Sequence, residues 1–281
     1  MIYPINIYTF KWGRLVFTLF GSICSFLVHA QDTIHLHTYV GNLKKLPVTI
    51  GDSTYTFLFD SGGGETFISP GIIRHLNKSI YGLSTGFRMH GDTIHYQKCD
   101  SITLNLDGIS IFHHTTGVWD IMNVLPKELP PIDGIISLKS FQSRIITIDL
   151  NRDLIILESA RSYRNKTRSM VSIPGRFANG LDGNESSIFL NIPKNNHAYW
   201  FLFDCGNLDQ VLLSAHTALS WGIPDHETKT SSHQINFKLG DREFNPDAKT
   251  DNIIYDGVLN FDTLSQAIFL IHFPKKEIWI K

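Results

Sequence analysis

A short motif that occurs twice constrains the fold of this 281-residue chain more than any other feature. Residues 55–62 are YTFLFDSG and residues 199–206 are YWFLFDCG, identical at six of eight positions and offset by 144. Each copy continues into a short apolar stretch that closes with Ser69 or Ser214. Repeats of this kind are sought first, because a missed repeat misassigns the whole architecture. The sequence therefore predicts two related units.

A second block repeats downstream of each motif. Residues 133–157 open with DGIIS and continue into β-branched runs, and residues 256–280 follow the same pattern from DGVLN without a gap. Short β-branched and aromatic runs separated by Gly, Asp, Asn and Ser dominate the remaining sequence, and helical signals are few. The chain is predicted to be mostly β, with lobes at 31–160 and 161–281. The basic segment 159–169, which lacks apolar periodicity, is expected to connect them.

The first thirty residues are predicted to be a secretory signal peptide, outside both lobes. Lys11 and Arg14 precede the apolar run 15–28, which ends just before Ala30. The run is shorter than the roughly 20 residues that a membrane-spanning helix needs. We therefore expect export to the periplasm or the extracellular space, with no membrane span after signal cleavage. Cys24 inside the run leaves lipid attachment open.

Charge and cysteine content exclude several classes of protein. The chain has 25 Lys and Arg against 26 Asp and Glu, a net charge of −1, whereas nucleic-acid and anionic-membrane binders carry a basic excess. Beyond the signal region only Cys99 and Cys205 remain, too few for a disulfide framework. We expect a monomer that is stabilised by its core and has no nucleic-acid partner.

Each repeated motif ends an apolar run with Asp-x-Gly, a tight turn that exposes a carboxylate. One such turn proves little, because a turn Asp commonly caps backbone amides. Two copies in a tandem repeat indicate a pseudo-twofold axis that brings Asp60 and Asp204 together. Two carboxyl groups about 3 Å apart cannot both ionise and so share a proton, which suits them to acid–base catalysis.

In these residues the chain resembles the aspartic peptidases of the pepsin and retropepsin clan. The resemblance covers nearly all of the sequence after the signal, and it rests on the paired order of the motifs 57–62 with 133–136 and 201–206 with 256–259. It implies a bilobal pepsin-like acid-protease architecture, with two related β-barrel-like lobes, short helices and a cleft between the lobes. It also implies a secreted aspartic endopeptidase that cleaves peptide or protein substrates with a water activated between two Asp residues, without a metal or cofactor.

The resemblance assigns roles to individual residues. Asp60 and Asp204 would be the catalytic pair. The residues expected to support the two catalytic loops are Ser61, Gly62, Cys205 and Gly206. Pepsin-like first lobes carry a flap, and 85–96 is predicted to be that flap, a hairpin that turns near 90–92 and closes over the cleft. Its expected substrate-binding residues are Phe87, His90 and Gly91.

Several positions depart from the pattern of that clan, among them Gly63, which lacks the hydroxyl that supports the carboxylate in pepsin. Cys205 stands where Thr or Ser is usual, and a thiol is a poorer hydrogen-bond donor than a hydroxyl. Ser137 and Asn260 replace glycines and add side chains beneath the catalytic turns. These departures keep an alternative open: a catalytically impaired pseudo-peptidase that binds peptide or another ligand in the interlobe cleft.

Metal and phosphate sites find little support. The chain has 13 histidines, but its closest pairs, His35 with His37 and His113 with His114, have no third ligand at a recognised spacing. The glycines at 62–64 lack the Lys-Ser/Thr that completes a phosphate-binding loop. We predict no metal and no cofactor.

Overall fold

The computed structural model describes residues 32–223 and 232–281. The predicted signal peptide lies outside these residues. The described part is mostly β, which confirms the predicted fold class. Its strands in chain order are β1 (Thr33–His35), β2 (His37–Thr38), β3 (Lys44–Ile50), β4 (Ser53–Phe59), β5 (Phe67–Ile68), β6 (Tyr81–Phe87), β7 (Thr93–Leu106), β8 (Ile109–Val118), β9 (Gly134–Ile136), β10 (Ile145–Asp149), β11 (Leu154–Leu157), β12 (Val171–Ile173), β13 (Gly175–Ala178), β14 (Ser187–Lys194), β15 (His197–Leu202), β16 (Val211–Leu213), β17 (His233–Gln234), β18 (Phe237–Leu239), β19 (Arg242–Phe244), β20 (Asp247–Thr250), β21 (Gly257–Val258), β22 (Phe269–His272) and β23 (Glu277–Ile280).

The helices are short and start at residues suited to a first turn. Pro70 opens the first helix, and Ser214 caps the third by accepting a hydrogen bond from Thr217 N at 3.2 Å. The α-helices are α1 (Pro70–His75), α2 (Ala160–Lys166), α3 (Ala215–Ser220) and α4 (Phe261–Leu264). Single 3₁₀ turns form at Ile121–Asn123, Leu138–Phe141, Leu150–Arg152, Thr167–Ser169 and Phe273–Lys275. Within the described residues we find no helix with the length and apolar character required to cross a membrane.

The first large sheet is built from residues 37–136. Its eight strands lie in the order β2-β3-β4-β9-β5-β8-β7-β6, and a further pairing of Thr49 with Asn105 joins β3 to β7. This pairing closes the sheet on itself, which gives it a barrel-like form. Strand β3 alternates with period two, so that Leu46, Val48 and Ile50 point into the core.

The second large sheet is built from residues 175–258, in the order β13-β14-β15-β21-β16-β20-β17. Its central part has the arrangement found in the first sheet. In the first sheet β4 pairs parallel with β9, β9 antiparallel with β5, and β5 parallel with β8. In the second sheet β15, β21, β16 and β20 pair in the same order with the same directions. Each Asp-x-Gly turn therefore follows an equivalent inner strand.

A third sheet links strands from both halves of the chain. Its order is β1-β11-β10-β22-β23-β12, and β10 pairs antiparallel with β22 at its centre. Ile146 lies opposite Ile271 in that pairing, and both are fully buried in the main core. Strands β18 and β19 form a separate hairpin. The lobe bounds 31–160 and 161–281 remain a prediction, and helix α2 begins at Ala160.

Two small apolar clusters lie apart from the main core, one on each large sheet. The first contains Leu58, Phe67 and Ile135, and the second contains Leu202, Leu212 and Val258. The strand pairings make these two triplets equivalent, because Phe67 is opposite Ile135 and Leu212 is opposite Val258. Four of these residues, Leu58, Phe67, Ile135 and Leu202, also line the cavity described in the next section.

Candidate active site

Asp60 is held by the turn that ends β4. Its amide donates to the carbonyl of Ile136 in the parallel neighbour β9 at 3.0 Å. Its Oδ1 accepts two backbone hydrogen bonds, from Gly62 N at 2.9 Å and from Gly63 N at 3.1 Å. The carboxyl group is therefore fixed in direction by its own loop.

Asp204 occupies the equivalent place two residues beyond β15. Its Oδ1 accepts a hydrogen bond from Gly206 N at 2.8 Å, and the residue is only 6% exposed. The carbonyl of Leu202 just before it accepts from Leu259 N at 3.0 Å, which ties this turn to the end of β21. The two halves of the chain thus present their Asp residues in the same way.

The structure brings Asp60 and Asp204 together, with each carboxyl group against the glycine turn of the other half of the chain. The two turns interlock at their glycines. A Cβ atom on Gly62 would lie 2.2 Å from Asp204 Cγ, and one on Gly206 would lie 2.8 Å from Asp60 Oδ1. Glycine is required at both positions because each turn closes against the other carboxyl group.

Burial makes ionisation of this pair unfavourable. It raises the pKa of Asp60, against the opposing effect of the amides of Gly63 and Gly62. It raises the pKa of Asp204 further, because the charge of Asp60 acts in the same direction as burial. The two groups titrate as a coupled pair, and one proton shared between them avoids the cost of two buried charges.

Ser61 and Cys205 tie the two turns together below the carboxyl groups. Ser61 Oγ donates to the carbonyl of Phe203 at 3.0 Å and accepts from the amide of Cys205 at 2.9 Å. The thiol of Cys205 donates to the carbonyl of Phe59 at 3.9 Å, a longer contact. Burial raises the pKa of this thiol to about 12, so Cys205 stays neutral and is unsuited to act as a nucleophile.

The side chains of Ser137 and Asn260 are used as helix caps. Ser137 is fully buried, and its Oγ accepts from Lys139 N at 3.3 Å and shares a hydrogen bond with Thr66 Oγ1 at 3.1 Å. Asn260 Oδ1 accepts from Thr263 N at 3.0 Å at the start of α4. Neither side chain is left without a partner in the loops beneath the Asp turns.

A cavity of about 560 Å³ lies over the two Asp residues. Its polar lining groups include Asp60, Asp204, Glu65, Glu185 and Arg88. Most of the other lining side chains are apolar, and they include Leu43, Leu58, Phe67, Phe87, Met89, Ile94, Trp119, Ile121, Val124, Leu125, Ile135, Leu181, Phe189, Leu202, Ile254 and Tyr255.

The hairpin of β6 and β7 contains the predicted flap 85–96. Phe87 is about half exposed and lines the cavity together with the neighbouring residues 85–89. His90 and Gly91 lie at the tip and are absent from the cavity lining. The tip contacts the other half of the chain, where His90 Nε2 lies 3.2 Å from Asp251 Oδ2. Substrate binding by Phe87, His90 and Gly91 remains a prediction.

Sequence reasoning missed the loop 179–186, which contacts both the hairpin and the first Asp turn. Asp182 accepts a hydrogen bond from Ser84 on β6 at 2.7 Å and pairs with Lys98 on β7. The amide of Ser186 donates to the carbonyl of Gly64 at 2.7 Å. Two acids in a glycine-rich loop resemble an exposed turn, so the sequence carried no signal for these contacts.

A buried ion pair next to the cavity was also missed. Lys139 Nζ lies 2.6 and 2.7 Å from the two carboxylate oxygens of Glu65, and both side chains are nearly inaccessible. Burial raises the pKa of Glu65 to about 7, although Lys139 opposes the shift. Among the residues the structure describes, no cluster of three or more His, Cys, Asp or Glu side chains is arranged to hold a metal ion.

Comparison with known proteins adds the fold relationship. No protein-family model and no curated protein matches the chain. Among solved structures, basic 7S globulin from soybean matches with a TM-score of 0.56 at 8% identity, over 89% of this chain and 95% of that one. Conglutin gamma, a basic 7S globulin from lupine seeds, matches over the same shares with a TM-score of 0.55, also at 8% identity. The chain has the two-lobed β fold of these proteins.

This comparison corrects the family assignment made from the motifs. The prediction that the chain is an aspartic peptidase of the pepsin and retropepsin clan is wrong, because no family model or curated protein matches it and the two solved structures named above are seed globulins. The repeated Asp-x-Gly motifs specify how two lobes meet, and a fold alone does not determine an activity. The predicted bilobal architecture is confirmed, and the function has to be argued from the site.

Proposed function

We propose that this protein binds an extended peptide, or a ligand of similar shape, in the cleft over Asp60 and Asp204. The observation that carries the proposal is the cavity of about 560 Å³, walled mainly by apolar side chains. Ligand sites typically occupy about 300 to 1,000 Å³ and combine apolar walls with a few well-placed polar groups. The cleft matches this description, with its polar groups concentrated at the Asp pair.

An extended shape for the ligand is favoured by the strands beside the cavity. Strand β6 is the outer strand of the first sheet, and residues 85–87 at its end line the cavity. Strand β13 is the outer strand of the second sheet, and its last residue, Ala178, also lines it. Outer strands have backbone N–H and C=O groups free to pair with an added chain.

Hydrolysis of the bound peptide is a second candidate function, favoured by the close approach of Asp60 and Asp204. Ionised Asp60 would take a proton from a water while the water oxygen attacks the peptide carbonyl carbon. Protonated Asp204 would hydrogen-bond the carbonyl oxygen as negative charge develops there. Transfer of a proton to the amide nitrogen would then break the C–N bond and release an amine and an acid. The raised pKa of both groups supports a pair that carries one shared proton, and the reverse division of roles uses the same steps.

We place this function outside the cytoplasm, because the first thirty residues have the pattern of a secretory signal peptide. We further propose that the protein acts as a monomer with peptide or protein ligands. The balanced charge of the chain supports a partner other than nucleic acid.

One experiment tests both candidates. The purified protein is immobilised and exposed to peptides from an unfolded protein mixture between about pH 3 and 8, with and without a statine-type inhibitor. Mass spectrometry of retained and released peptides records binding and new chain ends on the same sample. The variants Asp60→Asn and Asp204→Asn are compared with Asp241→Asn, which changes an exposed Asp in the β18–β19 turn.

Retained peptides that the inhibitor displaces, without new chain ends, would support the binding function alone. New chain ends that disappear in Asp60→Asn and Asp204→Asn but persist in Asp241→Asn would support hydrolysis as well. Absence of both retention and cleavage by folded protein at every pH would overturn both candidates.

A further inference from the structure

Glu185 stands where the loop 179–186 meets the first Asp turn and the hairpin. Three glycines close around its side chain. A Cβ atom on Gly64 would lie 3.0 Å from Glu185 Cβ, one on Gly86 would lie 3.2 Å from Oε1, and one on Gly180 would lie 2.5 Å from Oε2. The side chain also lines the cavity. Because these three residues are glycines, they leave the space in which the Glu185 side chain lies in the cavity wall.

The carboxyl group of Glu185 has no basic partner among the described residues. The other two acids near it are neutralised, Asp182 by Lys98 and Glu65 by Lys139. No Lys, Arg or His of residues 32–223 and 232–281 lies within 4.0 Å of the Glu185 oxygens. The hydrogen bond that its carboxylate accepts there is a long one, from Tyr96 Oη at 3.3 Å.

Arg88 is the basic residue among those lining the cavity, and it is exposed on the hairpin with no ion pair to Glu185. Apolar groups also line this part of the cavity, where Ile94 and Glu185 both lie against Gly86. Burial raises the pKa of Glu185 and so disfavours its charged form, although the hydrogen bond from Tyr96 and the charge of Lys139 oppose the shift. A half-buried carboxylate is stabilised most by a cation that forms an ion pair with it. A cation on an apolar stem suits this site, because the stem can pack on the apolar wall while the charged end reaches the carboxylate.

We infer that Glu185 is a specificity-determining residue that pairs with a Lys or Arg side chain of the bound peptide. The inference rests on the proposed binding function and deepens it by naming the ligand class. The long apolar stem of Lys or Arg would pack on the aliphatic and aromatic wall, and its charged end would reach the Glu185 oxygens. Because Gly64 belongs to the loop that follows Asp60, the selected side chain would lie close to the Asp pair.

The test compares two sets of extended apolar peptides that differ at one position, Lys in one set and uncharged norleucine in the other. Binding to the full protein is measured at pH 7.5 by calorimetry. The mass of each peptide is then measured by mass spectrometry to detect any cleavage. We expect Lys peptides to bind about tenfold more tightly or better, as hydrogen bonds to charged groups allow. Glu185→Gln should remove this preference, so that the Lys and norleucine peptides bind with similar affinity.

A charge-reversed variant keeps the inference falsifiable if Glu185→Gln alters the loop. Glu185→Lys should favour peptides with Glu in place of Lys. Glu243→Gln changes an exposed acid on β19 and serves as the matched control, with the preference retained. Equal binding of Lys and norleucine peptides, or a preference that survives in Glu185→Gln, would overturn the inference while the binding function stands. Failure of every peptide to bind would overturn the binding function and this inference with it.

Discussion

Ser61 and Cys205 support the two Asp turns unequally. Ser61 Oγ makes two hydrogen bonds across the interface, at 3.0 Å to Phe203 O and at 2.9 Å from Cys205 N. Cys205 Sγ makes one longer contact, at 3.9 Å to Phe59 O. The serine hydroxyl therefore carries most of the polar connection between the turns.

The first prediction concerns that hydroxyl. Ser61→Ala should lower the free energy of unfolding by about 1 to 3 kcal/mol, because it leaves a buried amide and a buried carbonyl without their partner. Urea unfolding followed by circular dichroism measures the change. Ser110→Ala, on the exposed side of β8, should change stability by less than about 0.5 kcal/mol. A Ser61→Ala protein as stable as the parent would contradict the prediction.

The second prediction uses the close approach of the turns. Gly62→Ala places a methyl group 2.2 Å from Asp204 Cγ, so the turns must separate, with a loss of about 1 to 3 kcal/mol or more. Peptide retention in the cleft should fall with it. Gly71→Ala in α1 is the control, because a Cβ on Gly71 would lie 3.7 Å from the nearest atom, Ser69 Oγ. Thermal unfolding of both variants is compared, and equal effects would show that the turns do not interlock as described.

The Asp pair could be predicted because its determinants are contiguous. In each copy the strand, the carboxylate and the glycine lie within one eight-residue motif. The repeat of this motif predicts that Asp60 lies opposite Asp204. The mostly β fold follows from the same local runs. The lateral contacts of the site could not be predicted, since they join distant residues: Glu65 meets Lys139 across 74 positions, and Glu185 meets Gly64 from the other half of the chain.

Ser137 and Asn260 show a different limit of sequence reasoning. Read as replacements of glycine, they suggested side chains intruding beneath the catalytic turns. In the structure each is an N-cap, because a helical turn begins directly after it: Leu138–Phe141 after Ser137, and Phe261–Leu264 after Asn260. The family assignment failed for a related reason: the motifs report how two lobes meet, and proteins similar in fold include seed globulins.

The third prediction concerns the buried pair of Glu65 and Lys139. Lys139→Met should cost about 3 to 5 kcal/mol at pH 8, because it leaves a buried carboxylate without its cation. The loss should be smaller at pH 5, where Glu65 can be neutral. The double variant Glu65→Gln with Lys139→Met should recover most of the stability at pH 8. Urea unfolding at the two pH values measures this, and a loss independent of pH would contradict it.

The pH dependence that Glu65 contributes has a definite sign. Its pKa in the folded protein, about 7, lies above the ordinary value of 4.5. Between these values the folded protein binds more protons than the unfolded chain, so stability falls as pH rises from about 4.5 through 7. Glu65→Gln should remove this fall from the unfolding curve.

The fourth prediction concerns His113 on β8. Its contribution to the pH dependence of stability is opposite in sign to that of Glu65. Its side chain is 5% exposed with Nε2 unpaired, and burial, helped by Lys139, lowers its pKa to about 4. The unfolded chain, with a histidine pKa near 6.5, binds more protons between pH 4 and 6.5. The contribution of His113 is therefore lost as pH falls through this range.

His113→Leu should accordingly stabilise the protein more at pH 5 than at pH 7.5, by a difference of about 2 kcal/mol. His114→Leu, at the exposed neighbouring position, should show no such difference. Glu65 and His113 act in opposite directions between pH 4.5 and 6.5, so their contributions to the pH dependence of stability offset each other in part. A His113→Leu profile parallel to that of the parent would contradict the assignment.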